Sequence, residues 1–391
     1  MIKDKNIICI SNTTWYGKYA KSTVQILSRL AKHNKVLFVE YPYTIKDVFY
    51  LIGKENKIIS RIFGFNKRIL TYNTDVNSKV YDFIVPPAIP SFFIKNEKVF
   101  NFIFKINISI YEFYLRKTIK KLQIKNPIVI TAFNPFYGLP MQGKLKEIVN
   151  VYYCYDGVES GYFGKRIFDY EDKYSKNADL IITTSEYLNS QKLKINTNSF
   201  VVKNGVDFTT FNKYAKSQPN LNSKKTVGYI GSLDSRFDID TIEFVIQNLD
   251  NFIFEFTGDL RNEQIKKRLS KYKNVSFFES VKPNEVAKLI AKYDVGIIPY
   301  IVNEVNKNIY PLKINEYLSV GVPVVMTNFA LLSEFDEIIS VSLNKEDFLK
   351  HLLNEVNMDS ENKIKQRIEF AKQNSWDSRT ELFSDIIEKF L

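Results

Sequence analysis

"NIICISNTTWYGKYAKSTVQILSRLAKHNKVLFVEYP", Asn6 to Pro42, carries the plan of the fold. "NIICISN" is a continuous apolar run of strand length, "TTWYGKYA" a loop with one glycine, and "KSTVQILSRLAKH" sets apolar residues at helical spacing. "KVLFVEYP" is a second apolar run. Strand, helix and strand within about 35 residues make the unit of a parallel sheet, because parallel strands need a long crossover between them. Apolar runs ending in turn residues recur at "NPIVITAFNP", "IVNVYYCYDG" and "ADLIITTSEYL", so the first half reads as one doubly wound domain.

The pattern restarts at "KTVGYIGSLDSRFDIDTIEFVIQNL" and continues through "FIFEFTGD", "NVSFFESV", "VAKLIAKYDVGIIPY" and "GVPVVMTN". Between the halves, "FNKYAKSQPNLNSKK" has the polar composition of a linker. The expected organisation is a Rossmann-like domain over 1–205, a linker over 206–223, a second Rossmann-like domain over 224–372, and a last segment, 373–391, forming a helix that packs back on the first domain. The fold class is α/β, with two parallel-sheet domains facing across a cleft. In open α/β sheets ligands sit beyond the carboxyl ends of the strands, so function is expected there.

The length of 391 residues exceeds one ordinary core and suits two. No run of about 18 uncharged apolar residues occurs, and the N-terminus has no signal-peptide pattern, so a cytoplasmic protein is expected. Cys9 and Cys154 sit in apolar runs and read as small buried hydrophobes. Residues 1–200 hold 30 Lys+Arg against 16 Asp+Glu, a charge of +14; residues 201–391 hold 25 against 27, a charge of −2. The basic half suits an anionic membrane surface or a phosphorylated acceptor; nucleic acid would also fit the charge, but no recognition motif for it is present, and none is expected as a partner.

"NIYPLKINEYLSVGVPVV", Asn308 to Val325, holds the densest chemistry. Pro311 suits a helix start, where its missing N–H costs nothing and the free amides of the first turn make an anion site. Lys313 adds a cation at that end, and Glu316, one turn along the same face, is placed to accept hydrogen bonds from sugar hydroxyls. A surface ion pair between the two is the plain alternative. In "GYIGSLDSRFDID" the turn through Gly231, Ser232 and Leu233 follows a strand and opens a helix, so its amides can also face an anion. Asp238 and Asp240 read as caps of that helix, not as metal ligands. Asp156, at a strand's carboxyl end, either orients or deprotonates an acceptor hydroxyl or simply forms an Asp-Gly turn. Glu159 is a second candidate of the same kind. His33 and His351 fall in no motif.

The segment "IPYIVNEVNKNIYPLKINEYLSVGVPVVMTN" resembles the donor-binding segment of the bacterial GT-B glycosyltransferases often called family 4, found in capsule, teichuronic-acid and lipopolysaccharide clusters. "VGYIGSL", "NADLIITTSEYL", "VVKNGVDFTTF" and "AKQNSWDSRTELF" extend the likeness over nearly the whole chain. The resemblance implies that Glu316, the second glutamate of an E-x7-E motif, contacts the ribose of a nucleotide sugar, and that Lys313 binds its diphosphate. The first glutamate is replaced by Asn308, leaving its contact to another group such as Glu304. Tyr310 and Leu312 of the same segment, Gly258 in "FTGDL" and the backbone around Val281 in "ESVKPNE" would border the donor. Arg236, offset from the usual basic position, would assist Lys313 in stabilising the diphosphate leaving group. Tyr155 and Asp156 stand where relatives often have a histidine-aspartate pair. "TTWYGKYAKS" resembles the glycine loop that approaches the diphosphate, with Gly17, Lys18 and Lys21.

What the resemblance implies is a glycosyltransferase moving a sugar from a nucleotide-diphosphate donor to a lipid-linked or growing surface-polysaccharide acceptor, with retention, no cofactor and no metal. The second domain would hold the donor and the first the acceptor. Two aromatic and basic segments, 48–70 and 91–125, suit the inner membrane face, so peripheral attachment is expected. The competing readings are a sugar-nucleotide 2-epimerase, which needs more acid-base groups than are present, and a silent nucleotide-sugar-binding scaffold.

Overall fold

The computed structural model describes the chain except residues 17–20, 75, 159–164 and 331, and the side chains of Pro283, Asn284 and Asn308. It divides into two compact units, Met1–Lys203 with Thr380–Leu391, and Asn204–Arg379.

The first unit is built on one sheet of eight strands: β1 (Asn6–Ser11), β2 (Lys35–Val39), β3 (Ile69–Asn73), β4 (Lys79–Phe83), β5 (Ile128–Ala132), β6 (Val149–Cys154), β7 (Leu180–Thr183) and β8 (Ser199–Val201). Their order is β3-β4-β2-β1-β5-β6-β7-β8. Every neighbouring pair is parallel except β3 and β4, an antiparallel pair added at the edge. The central strands are buried on both faces, as a helix-covered parallel sheet requires, which is why "IICI", "VLFV" and "IVIT" read as unbroken apolar runs.

The helix Glu97–Lys121 buries Phe100, Phe104, Ile108, Tyr111 and Leu115 at spacings of three and four. Phe104 stacks on Phe100 with centroids 5.4 Å apart. Much of the aromatic content of 91–125 therefore belongs to the core, and only its outer side keeps rings such as Phe102 and Phe113 in solvent. The helices Ile45–Leu51 and Asn56–Phe63 are different. Phe49, Tyr50 and Phe65 are 70%, 71% and 84% exposed on and beside them.

The second unit has six parallel strands, β9 (Lys225–Ile230), β10 (Phe252–Thr257), β11 (Val275–Phe278), β12 (Val295–Ile298), β13 (Val324–Thr327) and β14 (Ser340–Ser342), in the order β11-β10-β9-β12-β13-β14. The order reverses between β9 and β12, as it does between β1 and β5 in the first unit. Each reversal is a topological switch point, where connections leave to opposite sides and the strand ends flank a crevice.

The segment 206–223, expected as a linker, is packed into the second unit. Val206 exchanges backbone hydrogen bonds with Asn374 and Trp376, Phe211 enters the core from the short helix Phe208–Asn212, and the Lys216 amide donates to the Val320 carbonyl. Apolar anchors among polar neighbours decide its place, and composition averaged them away. The final helix, Trp376–Glu388, begins in the second unit and ends in the first. There Phe383 lies edge-on to Tyr153 at 5.4 Å and Ser384 Oγ accepts from the Ile2 amide at 2.6 Å.

Candidate functional site

At the switch point of the second unit, the β9 end, the β12 end and one helix start converge. The helix Leu312–Ser319 buries Ile314, Asn315, Tyr317 and Leu318. Leu312, Lys313 and Glu316 remain half-buried on the other face, as the three-residue spacing demands. Tyr317 fixes the helix against the sheet: its phenol accepts from the Ile230 amide at 3.0 Å and donates to the Gly228 carbonyl at 3.4 Å. Pro311 is the residue before the first turn and offers no side-chain cap. The Ile314 amide donates to the Pro311 carbonyl at 3.2 Å, and the two amides before it have no acceptor among the described residues.

Lys313 reaches back across the end of β9. Its Nζ donates to the Tyr300 phenol at 2.9 Å and stands over the ring of Tyr229, 4.2 Å from the centroid. Among the described residues it has no carboxylate within ion-pair range. A side chain at Gly231 would have no place, since a Cβ there would lie 2.5 Å from Lys313 Nζ. Gly231 also has φ +145°, a backbone conformation that L side chains rarely adopt. Gly258, past β10, packs its backbone against that of Gly231; a Cβ on it would fall 2.0 Å from the Gly231 oxygen. The two glycines keep the crevice floor bare.

Arg236 is drawn into the same cluster by backbone pairing. The Ile301 amide donates to the Arg236 carbonyl and the Asp238 amide to the Pro299 carbonyl, both at 2.8 Å. The guanidinium forks onto Asp234, with Nε at 2.9 Å from Oδ1 and Nη2 at 2.6 Å from Oδ2, and lies 5.4 Å from the Tyr300 ring centroid. Burial alone would raise the Tyr300 phenol, but Lys313 and then Arg236 pull it below its ordinary value. Burial pushes the Glu316 carboxyl up to about 7, against the pull of Lys313. Lys313 and Glu316 make no ion pair with each other, so the plain alternative fails in this arrangement.

The structure thus brings Lys313, Glu316, Gly231, Ser232, Gly258, Leu312 and Arg236 to one strand-end region. Ser232 gives its carbonyl to the Tyr229 phenol at 2.8 Å. Tyr310 stands apart: its ring is buried, 5.9 Å from Phe335, and its phenol accepts from Asn315. Val281 is half-buried in the segment after β11. Asn308 ends a short 3-10 turn, and Glu304 before it pairs with Lys307 at 2.5 Å. Asp238 caps the helix Ile239–Gln247 by accepting from the Thr241 amide at 3.0 Å, whereas Asp240 pairs with Arg268 at 2.7 Å and is not a cap. Sequence reasoning missed Tyr229, Asp234, Tyr300 and Tyr317. Their only signal was position at strand ends and on the buried helix face, where tyrosines pass for ordinary core.

In the first unit Asp156 is exposed just past β6, and its Oδ1 accepts from the Gly157 amide at 2.8 Å. Tyr155 beside it lies between Phe133 and Tyr153, with its phenol buried and without a hydrogen bond. Gly17, Lys18 and Glu159 lie outside the described residues. Lys21 turns its ammonium onto the Thr14 and Tyr16 carbonyls. Cys9 and Cys154 are buried, and burial pushes the Cys154 thiol up to about 12.

Residues 224–354 match the family described as Glycosyl transferases group 1. A Bacillus subtilis protein named for a glycosyltransferase of teichuronic acid biosynthesis is 29% identical over 176 residues, 41% of this chain and 43% of its own length. The chain therefore matches under half of that relative. Among solved structures, the Thermosynechococcus elongatus sucrose-phosphate synthase superposes with a TM-score of 0.68 at 12% identity, covering 98% of each chain. A Rickettsia africae glycosyltransferase gives 0.67 at 13%, covering 100% of this chain and 99% of its own. An Anabaena protein solved with UDP and glucose gives 0.63 at 11%, covering 98% and 100%. These structural likenesses bear on the fold. Residues 224–354 are thus similar to the group 1 glycosyl transferases, and the chain has the GT-B fold of these solved structures.

Proposed function

We propose that the protein is a glycosyltransferase that binds a nucleoside diphosphate sugar at the β9/β12 switch point and transfers the sugar to a hydroxyl of a lipid-linked or growing surface polysaccharide. One observation carries the reading: Lys313, a half-buried cation with no carboxylate partner among the described residues, is held against a bare glycine floor beside the start of its helix, where Pro311 offers no side-chain cap. Such a place suits a diphosphate, and Glu316 on the same face suits the ribose hydroxyls next to it. As the bond to the anomeric carbon breaks, charge builds on the departing diphosphate, and Lys313 with the helix amides stabilises it electrostatically. The reaction uses no metal in this reading and retains the anomeric configuration.

The first unit presents the acceptor. Asp156, past β6, orients or deprotonates the attacking hydroxyl. The exposed Phe49, Tyr50 and Phe65, with Lys46, Lys54, Lys57 and Lys67 around them, suit contact with an anionic membrane surface. A nucleotide-sugar-binding protein without turnover is the second reading, favoured by Asn308 in place of the first motif glutamate.

Calorimetric titration with UDP, GDP and ADP, and then with their sugars, tests the donor half. UDP is the first probe because the Anabaena neighbour was solved with it. Selective binding of one nucleotide, lost in Glu316→Ala, supports the site; binding of none removes it. Donor consumption with membrane extracts as acceptor then separates the enzyme from the silent binder.

A further inference from the structure

The carboxyl end of the first sheet holds two acidic side chains that this reaction does not use. Glu40, just past β2, is 4% exposed, and Asp82, in β4, is fully buried. Phe38 pairs with Asp82 across the parallel ladder, so Glu40, two residues on, returns to the same face. Asp82 Oδ1 is buried with no hydrogen-bond partner among the described residues, and the charge of Asp82 bears on Glu40. Two like charges close together in a dry site disfavour full ionisation, so one of the two carboxyl groups keeps a proton.

The surrounding groups decide where that proton sits. Arg61, from the helix Asn56–Phe63, donates through Nη2 to Asp82 Oδ2 at 2.9 Å and to the Arg68 carbonyl at 3.1 Å, so among the described residues the ion-paired cation lies on Asp82. Lys21, the other cation facing Glu40, is engaged by the Thr14 and Tyr16 carbonyls. Among the described residues the phenols of Tyr43 and Tyr72 also face the pair, both raised first by burial. Glu40 is left as the neutral partner. Burial first, and the Asp82 charge next, push its carboxyl up to about 8. Its Oε1 accepts from the Trp15 amide at 3.2 Å, and Trp15 is itself buried edge-on against Phe38, with centroids 5.1 Å apart.

We propose that Glu40 is a positioning residue: as the protonated member of a pair with Asp82, it holds the Trp15 amide and with it the segment Thr13–Tyr16 at the switch point of the first unit. When the pair loses its proton, two negative charges face one guanidinium and this strand end loosens. The consequence for turnover rests on the glycosyltransferase reading; the structural part does not.

The test reads Trp15 directly. The chain has two tryptophans, so a Trp376→Phe variant leaves Trp15 as the sole reporter. Its emission and iodide quenching are followed between about pH 6 and pH 9, the range that brackets the raised carboxyl. The expected result is a one-proton transition with its midpoint near 8. Adding Glu40→Gln abolishes that transition while keeping the low-pH signal, because the amide still accepts from Trp15 and sets no charge against Asp82; Glu40→Ala gives the loosened signal throughout. A transition that persists with Glu40→Gln, or its absence in the parent, overturns the proposal. If Trp376→Phe fails to fold, the difference between wild type and Glu40→Gln gives the same answer, since Trp376 is buried in the other unit.

Stability provides a second readout. A carboxyl raised in the folded state binds its proton more tightly there than when unfolded, so stability falls as pH rises from the ordinary carboxyl range toward 8 and then levels off. Glu40→Gln removes that part of the slope. UDP titration of the same variants separates the two readings: a parent that binds no nucleotide sinks the donor site and leaves the Trp15 transition as it was.

Discussion

The two sheets carry opposite chemistry at their carboxyl ends. Past β9, at the switch point of the second unit, a lysine ammonium rests on glycine and tyrosine with no carboxylate in ion-pair range among the described residues. At the ends of β2 and β4, beside the switch point of the first, one buried carboxyl group is held by an arginine and another holds a backbone amide. The halves have the reverse net charge, +14 for residues 1–200 and −2 for the rest. Overall charge therefore says little about what a crevice will take. The second site leaves its cation open to an anion, whereas the first closes its polar groups on themselves, so on the readings proposed above ligand capture and segment positioning are divided between them.

The largest expected effect tests whether the first unit also takes part in chemistry. Asp156→Asn keeps an oxygen for the Gly157 amide and should leave Tm and nucleotide affinity unchanged. If the carboxylate deprotonates the acceptor, turnover falls by about 100-fold or more. Unchanged turnover would reduce Asp156 to a turn residue and leave the first unit with a supporting part only.

Next in size is Lys313→Ala. A hydrogen bond from a charged group contributes about 1.5–3 kcal/mol, which corresponds to roughly 10- to 100-fold in affinity. Calorimetry should show that loss for the nucleoside diphosphate, with a smaller loss for the monophosphate. Equal losses for both would move Lys313 from the diphosphate to another part of the ligand. Gly231→Ala should mimic it, because its methyl group takes the space of Lys313 Nζ.

Much of this was legible from sequence, for physical reasons. β1, β2, β5, β6 and β7 are buried on both faces and read as apolar runs; Lys313 and Glu316 share a helix face by spacing alone. The β3–β4 pair was missed because β3 has no fully buried residue and its residues, "ILTYN", lack a clear apolar face. Tyr300 and Tyr229 were hidden because a tyrosine at a strand end has the same signature whether it packs or holds a lysine. Glu40 and Asp82 are 42 positions apart and meet only through the parallel register of β2 and β4. Arg236 was visible as a cation, but its fork onto Asp234 depends on loop geometry.

Glu316 sharpens the contrast through pH. Its carboxyl, pushed up to about 7, becomes fully ionised only above neutrality. An ionised carboxylate accepts more strongly from ribose hydroxyls, so nucleotide affinity should rise through pH 7 by about fivefold, the equivalent of about 1 kcal/mol. Glu316→Gln should flatten that rise. For stability the sign is the reverse: the folded value lies above the unfolded one, so stability declines from about pH 4.5 to 7 and is level beyond. Calorimetry across that range against chemical denaturation checks both signs in one protein, and an affinity that falls with pH would take Glu316 off the ribose.

The smallest effect concerns how open the cationic site is. Asp234 occupies both Nε and Nη2 of Arg236; burial raises its carboxyl, but the guanidinium holds it below the usual carboxylate range. A phosphate arriving at Lys313 meets an arginine whose charge is already answered. Asp234→Asn keeps one acceptor on the guanidinium and removes the opposing charge. Because Arg236 is partly exposed, the pair contributes no more than about 1 kcal/mol to stability, and Tm should move little. Diphosphate affinity should then rise by about two- to fivefold, within that same energy, and weaken more steeply with added salt. A fall in affinity would mean that Asp234 is needed to hold Arg236 against Tyr300, and that the second site depends on an internal ion pair much as the first does.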